Sequence, residues 1–304
     1  MTGILPKGVI APNLTPFRDD LSVDMARYVA HANSLLADGC VGLAPFGTTG
    51  EALSVGMAER KAALQALVDG GVDPKCLIPG TGLTNLPDTV ELTRHALELG
   101  CAAVMTLPAF YFKGVSDDGL YAYFARLIED VDHPNLKIYL YHIPQVSGVG
   151  LPVDLVRRLH QDFPDQIIGI KDSSGDWQNT AALLGIDGLI VYPGSELPLI
   201  EAMALGAPGC ISATANLNAA AIARSVDLIA SGRDDEAKAH HDDVRKFRQI
   251  VQGYAPIPAQ KRLLALAGEQ ADWANVRPPL LPMSEEAGQE LARELSDAGL
   301  GSGN

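Results

Sequence analysis

Residues 137–172 read KIYLYHIPQVSGVGLPVDLVRRLHQDFPDQIIGIKD. An apolar run, Lys137-Ile-Tyr-Leu-Tyr141, passes through a proline-containing turn into a helical pattern. A second run, Gln166-Ile-Ile-Gly-Ile170, closes the stretch. Leu155, Val156 and Leu159 share one helical face, and Pro152 ahead of them suits a first helical turn. Both runs are apolar at successive positions, as strands covered on two faces must be. The stretch therefore reads as a β-α-β unit of a parallel sheet.

The pattern continues in both directions. Gly8-Val-Ile-Ala-Pro-Asn, Val41-Gly-Leu-Ala, Cys76-Leu-Ile-Pro-Gly, Ala102-Ala-Val-Met, Leu189-Ile-Val-Tyr and Gly209-Cys-Ile-Ser bring the runs to eight. Helical patterns fill the gaps, for example over 24–36 and 58–68 and at Leu92, Ala96 and Leu99. Eight such units in α/β order favour a closed (β/α)8 TIM barrel over an open doubly wound sheet. Three further helices are expected over 234–251, 257–268 and 285–298, with Arg277-Pro-Pro-Leu-Leu-Pro breaking the last two apart. The expected organisation is a barrel domain over 1–232 and a C-terminal helical extension over 233–304, ending in a frayed Gly-Ser-Gly-Asn tail.

The 304 residues fit one large barrel, and 47% apolar with 20% charged residues is globular rather than disordered composition. Lys and Arg number 23 against 37 Asp and Glu, a net charge of −14 that argues against nucleic acid or an anionic membrane as partner. Cys40, Cys76, Cys101 and Cys210 form no Cys-x-x-Cys pair and read as buried free thiols. No signal-peptide pattern opens the sequence, so the expected location is cytoplasmic. The uncharged stretch 202–223 is long enough to span a bilayer. Its Gly206, Pro208, Gly209 and Asn216 make it a buried strand and turn instead.

Neither a phosphate-binding Gly-x-x-x-x-Gly-Lys loop nor a His-Glu-x-x-His pair occurs, and no metal ligand set is visible. His240 and His241 are adjacent, so on a helix they diverge by about 100° and belong to a charged His-His-Asp-Asp face.

Three segments can carry chemistry. Lys171 follows the Gln166–Ile170 run directly, which aims it into the mouth of a barrel. Desolvation there disfavours the ammonium and frees an amine able to form a Schiff base with a ketone; a solvated strand-end lysine is the plainer alternative. Tyr141 ends the preceding run, and neighbouring strands lie about 4.8 Å apart, so its phenol falls near the lysine as a proton relay or as an aromatic plug. Gly47-Thr48-Thr49-Gly50-Glu51 follows the second run; its hydroxyls and backbone N–H groups form either a carboxylate cradle or an ordinary capped turn.

Taken together, Gly47-Thr-Thr-Gly-Glu51, Tyr141-His-Ile-Pro144 and Gly169-Ile-Lys171-Asp resemble the dihydrodipicolinate synthase and N-acetylneuraminate lyase family. Pro108-Ala-Phe-Tyr-Phe112 and Cys210-Ile-Ser-Ala-Thr-Ala-Asn216 extend the resemblance. It implies a (β/α)8 barrel with a helical extension, assembled as a homotetramer from two dimers. It implies a class I aldolase or lyase that needs no metal or organic cofactor, joining or separating pyruvate and an aldehyde through an imine on Lys171. Tyr141 matches the relay tyrosine, and Thr48 and Thr49 match the pair that handles the proton and the pyruvate carboxylate. Ile211 matches a residue whose carbonyl lines the pyruvate pocket, and Tyr111 matches a tyrosine lent to the neighbouring subunit.

The sequence departs from the family's lysine-biosynthetic branch at Val146. Members of that branch carry an arginine there, and valine cannot grip a carboxylate. A neutral pocket is expected, suited to 2-keto-3-deoxy sugar acids or 4-hydroxy-2-oxoglutarate. Gly194-Ser-Glu196 also departs from the sialic-acid-lyase pattern; Glu196 either accepts from substrate hydroxyls or caps the following helix. Two other readings stand beside the aldolase: a true dihydrodipicolinate synthase in which another cation replaces the arginine, and a non-catalytic 2-oxo-acid-binding protein.

Overall fold

A computed structural model describes residues 6–268 and 270–300; the tail 301–304 lies outside the described residues. Strand β1 (Gly8–Ala11) leads to α1 (Met25–Ala37), β2 (Gly42–Leu43), α2 (Met57–Asp69), α3 (Leu86–Glu98), β3 (Val104–Thr106) and α4 (Asp117–Val131). Then come β4 (Ile138–His142), the short α5 (Pro144–Ser147), α6 (Val153–Asp162), β5 (Ile167–Asp172), α7 (Trp177–Leu184) and β6 (Ile190–Pro193). After α8 (Leu199–Ala204), β7 (Gly209–Ile211) and α9 (Ala215–Ala230), the chain ends in α10 (Asp234–Val251), α11 (Pro256–Gly268) and α12 (Glu285–Asp297). Side-chain caps set several helix starts: Asp24, Asn85, Ser116 and Ser284 each accept a first-turn backbone N–H.

Every ladder is parallel, in the orders β2-β1-β7 and β3-β4-β5-β6. The expected third strand, Cys76–Gly80, forms no ladder among the described residues. It makes single bridges, Leu77 to Leu43 and Gly80 to Met105. The physical reason is local: a 3-10 turn over Pro74–Cys76 takes up its first residue, and Pro79 has no N–H to donate. The segment still joins the two sheets, through Ile78 N–H to Leu43 O at 2.8 Å and Met105 N–H to Pro79 O at 2.9 Å. With β6 beside β7, the strands close a (β/α)8 TIM barrel carrying C-terminal helices.

The interior is packed rather than hollow. Ile10, Ile78, Met105, Tyr139, Tyr192 and Ile211 fill it, and a second cluster lies between strands and helices. Gly169 makes room for this filling, because a Cβ there would lie 2.6 Å from the Tyr139 ring and 2.4 Å from Ile190 O. Stretch 202–223 is more helical than expected, holding the end of α8, β7, a turn and the start of α9. No helix among the described residues is long and apolar enough to cross a membrane. All four cysteines are free, three of them buried and Cys76 half-buried.

The adjacent histidines correct the charged-face reading. His241 is 1% exposed and faces Ser225 of α9 at 3.4 Å, while His240 meets Ala221 O at 2.8 Å. Asp242 and Asp243 stay on the exposed charged face of α10, whereas α9 covers the side that carries both imidazoles. Burial lowers the His241 pKa below its usual 6.5. Below about pH 6.5 the unfolded chain then takes up a proton that the folded chain does not, so this contribution is lost as pH falls. The stability advantage of wild type over His241→Gln is therefore expected to shrink from pH 7.5 to 5.5 in urea titrations; a growing advantage would contradict it.

Candidate active site

The β4–β5 register sets Tyr141 directly beside Lys171 at the C-terminal ends of the strands. The Lys171 Nζ donates to the Tyr141 hydroxyl at 3.5 Å and lies 4.5 Å from the ring centroid. That hydroxyl is 3.2 Å from Thr48 Oγ1, so amine, phenol and alcohol form one chain. Lys171 is 4% exposed and has no carboxylate within ion-pair distance among the described residues. Asp172, the next residue, points the other way, as strand alternation requires. It accepts from Ser174 N, Asn179 Nδ2 and Thr180 Oγ1 at 2.9, 3.0 and 2.7 Å.

The loop after β2 is held in an unusual shape. Phe46 and Glu51, which bracket Gly47–Gly50, both adopt left-handed backbone conformations, with φ of 58° and 52°. Such conformations cost non-glycine residues on the order of 1–2 kcal/mol each. The N–H groups of Thr48 and Thr49 donate to no group among the described residues. That leaves two amides and two hydroxyls as an anion cradle beside the amine.

A cavity of about 660 Å³ takes in Thr48, Thr49, Tyr141, Val146, Lys171 and Gly194. Gly194 donates its N–H to Asp172 O at 2.6 Å, and a Cβ there would lie 2.0 Å from Ser173 Oγ, so the β6 loop closes only around glycine. An apolar cavity of about 250 Å³ shares Thr48, Tyr141 and Val146 and adds Phe110 and Leu107.

Four sequence readings need revision or placing. Glu196 neither faces the cavity nor caps α8. It is fully buried and accepts from Ser212 Oγ and Thr214 Oγ1, with Arg248 Nη1 at 3.4 Å. A buried carboxylate demands such partners, and the β7 turn supplies them. Ile211 lies in the barrel interior, and the cavity wall above it is Ala213. Tyr111 is 75% exposed and stacks edge-on against Phe112, away from this chain's own cavity. Finally, the pocket is not neutral, because Arg245 and Arg248 of α10 line the same cavity as Lys171.

Sequence reasoning also missed Lys261. This fully buried lysine ion-pairs with Glu51, donates to Asn275 O at 2.8 Å and sits 4.3 Å from the Phe17 ring centroid. It ties α11 to the end of the Gly47–Glu51 loop. The sequence offered little signal, because Lys261 sits between Gln260 and Arg262 and reads as part of a short polar face. No three His, Cys, Asp or Glu side chains among the described residues cluster as metal ligands.

A parallel barrel with a buried amine, a phenol and an anion cradle at its strand ends has the makeup of a barrel enzyme acting on a small molecule. The chain belongs to the dihydrodipicolinate synthetase family, whose model matches residues 5–298. It is 34% identical to an uncharacterized DapA-like lyase of Chloroflexus aurantiacus, over 92% of this chain and 93% of that one. It is 33% identical to the 4-hydroxy-tetrahydrodipicolinate synthase of Thermus thermophilus, over 97% of each chain. Among solved structures, YagE of E. coli K12, a prophage protein of the dihydrodipicolinic acid synthase family in complex with pyruvate, superposes with a TM-score of 0.89. Its identity is 27%, over 97% of this chain and 99% of that one.

Proposed function

We propose that the chain is a pyruvate-dependent class I aldolase or lyase, with Lys171 as the Schiff-base residue. The observation that carries this reading is the Lys171–Tyr141–Thr48 chain of polar groups inside the cavity. The unprotonated Lys171 amine attacks C2 of a 2-oxo acid, and water leaves to give an imine. Tyr141 takes the proton of the C4 hydroxyl as the bond between C3 and C4 breaks; the bond's electrons pass to the protonated imine, which becomes an enamine, and C4 leaves as an aldehyde. A proton returned to C3 through Tyr141 and hydrolysis of the imine release pyruvate; condensation runs the same steps in reverse. The amides of Thr48 and Thr49 hold the carboxylate next to the imine. No metal or organic cofactor is assigned a step.

The pyruvate-bound prophage relative supports the choice of 2-oxo acid. The name of the Thermus relative supports a second reading, condensation of pyruvate with aspartate semialdehyde. We place Tyr111 in the neighbouring subunit's site within a cytoplasmic homotetramer; its 75% exposure in the single chain supports that placement. The barrel domain is taken as 1–232 and the extension as 233–304.

Borohydride reduction with pyruvate, followed by peptide mass spectrometry, tests the function. A pyruvyl adduct on Lys171 is the expected result, and its absence from folded protein rejects the proposal. Tyr141→Phe removes the hydroxyl and leaves the ring packed. It is expected to lower kcat by about 100-fold or more with urea stability little changed; near-normal kcat would remove the tyrosine from the relay.

A further inference from the structure

We infer that Arg245 is a specificity residue that grips an anionic group, such as a carboxylate, at the far end of the aldehyde fragment. The inference rests on the proposed imine chemistry and narrows its substrate class.

Arg245 and Arg248 lie three residues apart on α10, hence on one face, while Val244, Phe247 and Val251 are buried. Both arginines line the cavity that holds Lys171, and both are half-buried. Their situations differ in one respect. Arg248 is committed: its Nη1 lies 3.4 Å from Glu196 Oε2 and 3.1 Å from Ser212 Oγ, and its Nε faces Gln252 Oε1 at 3.4 Å. The Arg245 side chain has no hydrogen bond and no ion pair among the described residues. Its five donors are open to the cavity rather than committed to another protein group, so an anion can take them without displacing a native partner.

The charges around the cavity point the same way. Asp172 is saturated by three donors, and Glu196 is taken by Arg248 and two hydroxyls. Lys171 and Arg245 then face one carboxylate, Glu201, which is exposed to water. Lys171 is neutral when it attacks and becomes a cationic imine during the reaction. The carboxylate next to it is met by the Thr48–Thr49 cradle. Arg245 remains for a second anion farther along the cavity. At about 660 Å³ that cavity is far larger than a three-carbon acid needs. Val146 offers no competing cation, so selectivity for an acidic aldehyde comes from the helical extension, where a planar guanidinium can meet a carboxylate with two hydrogen bonds.

The test pairs aldehydes of similar size, succinic semialdehyde with a carboxylate and butyraldehyde without one. Each is condensed with pyruvate by the full chain, and kcat/KM is measured for both. Wild type is expected to favour succinic semialdehyde. In Arg245→Gln the ratio of the two kcat/KM values is expected to fall about 10- to 100-fold, chiefly through KM. Arg245→Lys should recover part of the loss by keeping the charge without the fork. An unchanged ratio overturns the assignment of Arg245.

Borohydride trapping of pyruvate by wild type keeps the two ideas apart. No adduct rejects the imine reading and this inference with it; an adduct with an unmoved ratio rejects only the role of Arg245. Should Arg245→Gln fail to fold, wild type still decides. The KM for succinic semialdehyde must rise with ionic strength while that for butyraldehyde stays flat, and two parallel responses overturn the proposal.

Discussion

Lys171→Ala is expected to abolish turnover, by about four to six orders of magnitude, and to abolish pyruvate trapping, while the barrel stays folded. The fold survives because the lysine contributes little to packing beyond its stem. Its Nζ makes one long hydrogen bond to Tyr141 and no ion pair among the described residues, so truncation strands no buried charge. Function does not survive because, among the described residues, no other lysine lines the cavity that holds Thr48 and Thr49; the buried Lys261 is already paired with Glu51. Steady-state kinetics across an aldehyde panel, together with far-UV circular dichroism, reads both halves. Retained turnover would reject imine chemistry. Trapping of pyruvate by wild type without turnover on any aldehyde would instead favour a non-catalytic binding protein.

Lys261→Met is expected to have the largest effect on stability, about 3–5 kcal/mol. Burial works against both members of the Lys261–Glu51 pair. It raises the Glu51 carboxyl above its usual range and lowers the Lys261 amine to about 8, in each case outweighing the partner's attraction. The pair is thus a poor source of net stability, yet breaking it is expensive. Removing the ammonium leaves a carboxylate 4% exposed, with only the Arg277 N–H, 3.4 Å away, in reach. Urea unfolding measures the loss. The double variant Lys261→Met with Glu51→Leu is expected to recover most of it, since two apolar side chains need no partners. A double variant no better than the single one would show that the lysine stem and its contact with Phe17 carry the effect. Catalysis should fall as well, because Glu51 closes the loop that bears Thr48 and Thr49.

The legible parts of this protein were those whose cause lies within one element or between neighbouring ones. Helix α10 begins and ends at the residues its pattern gave, and α1 starts one residue late only because Asp24 serves as its cap. Tyr141 and Lys171 were readable as a pair because each ends an apolar run and consecutive parallel strands lie side by side; the register sets them opposite one another. The missing ladder at Cys76–Gly80 was partly visible in Pro79, which cannot donate.

What escaped the sequence depends on partners far along the chain. Glu196 looked like a residue for substrate or a helix end. Its burial follows from Ser212, Thr214 and Arg248, 16 to 52 residues away. His241 looked solvated until α9 covered it. Val146 suggested a neutral pocket, because nothing in the order of residues shows that α10 turns Arg245 and Arg248 toward a cavity built at the ends of β4, β5 and β6. Periodicity and strand order thus determined the barrel and the pairing of Tyr141 with Lys171, since backbone geometry repeats locally. Tertiary packing alone decided which charges are buried, which are paired and which remain free, because burial and electrostatic pairing are properties of surfaces that meet only in the folded chain.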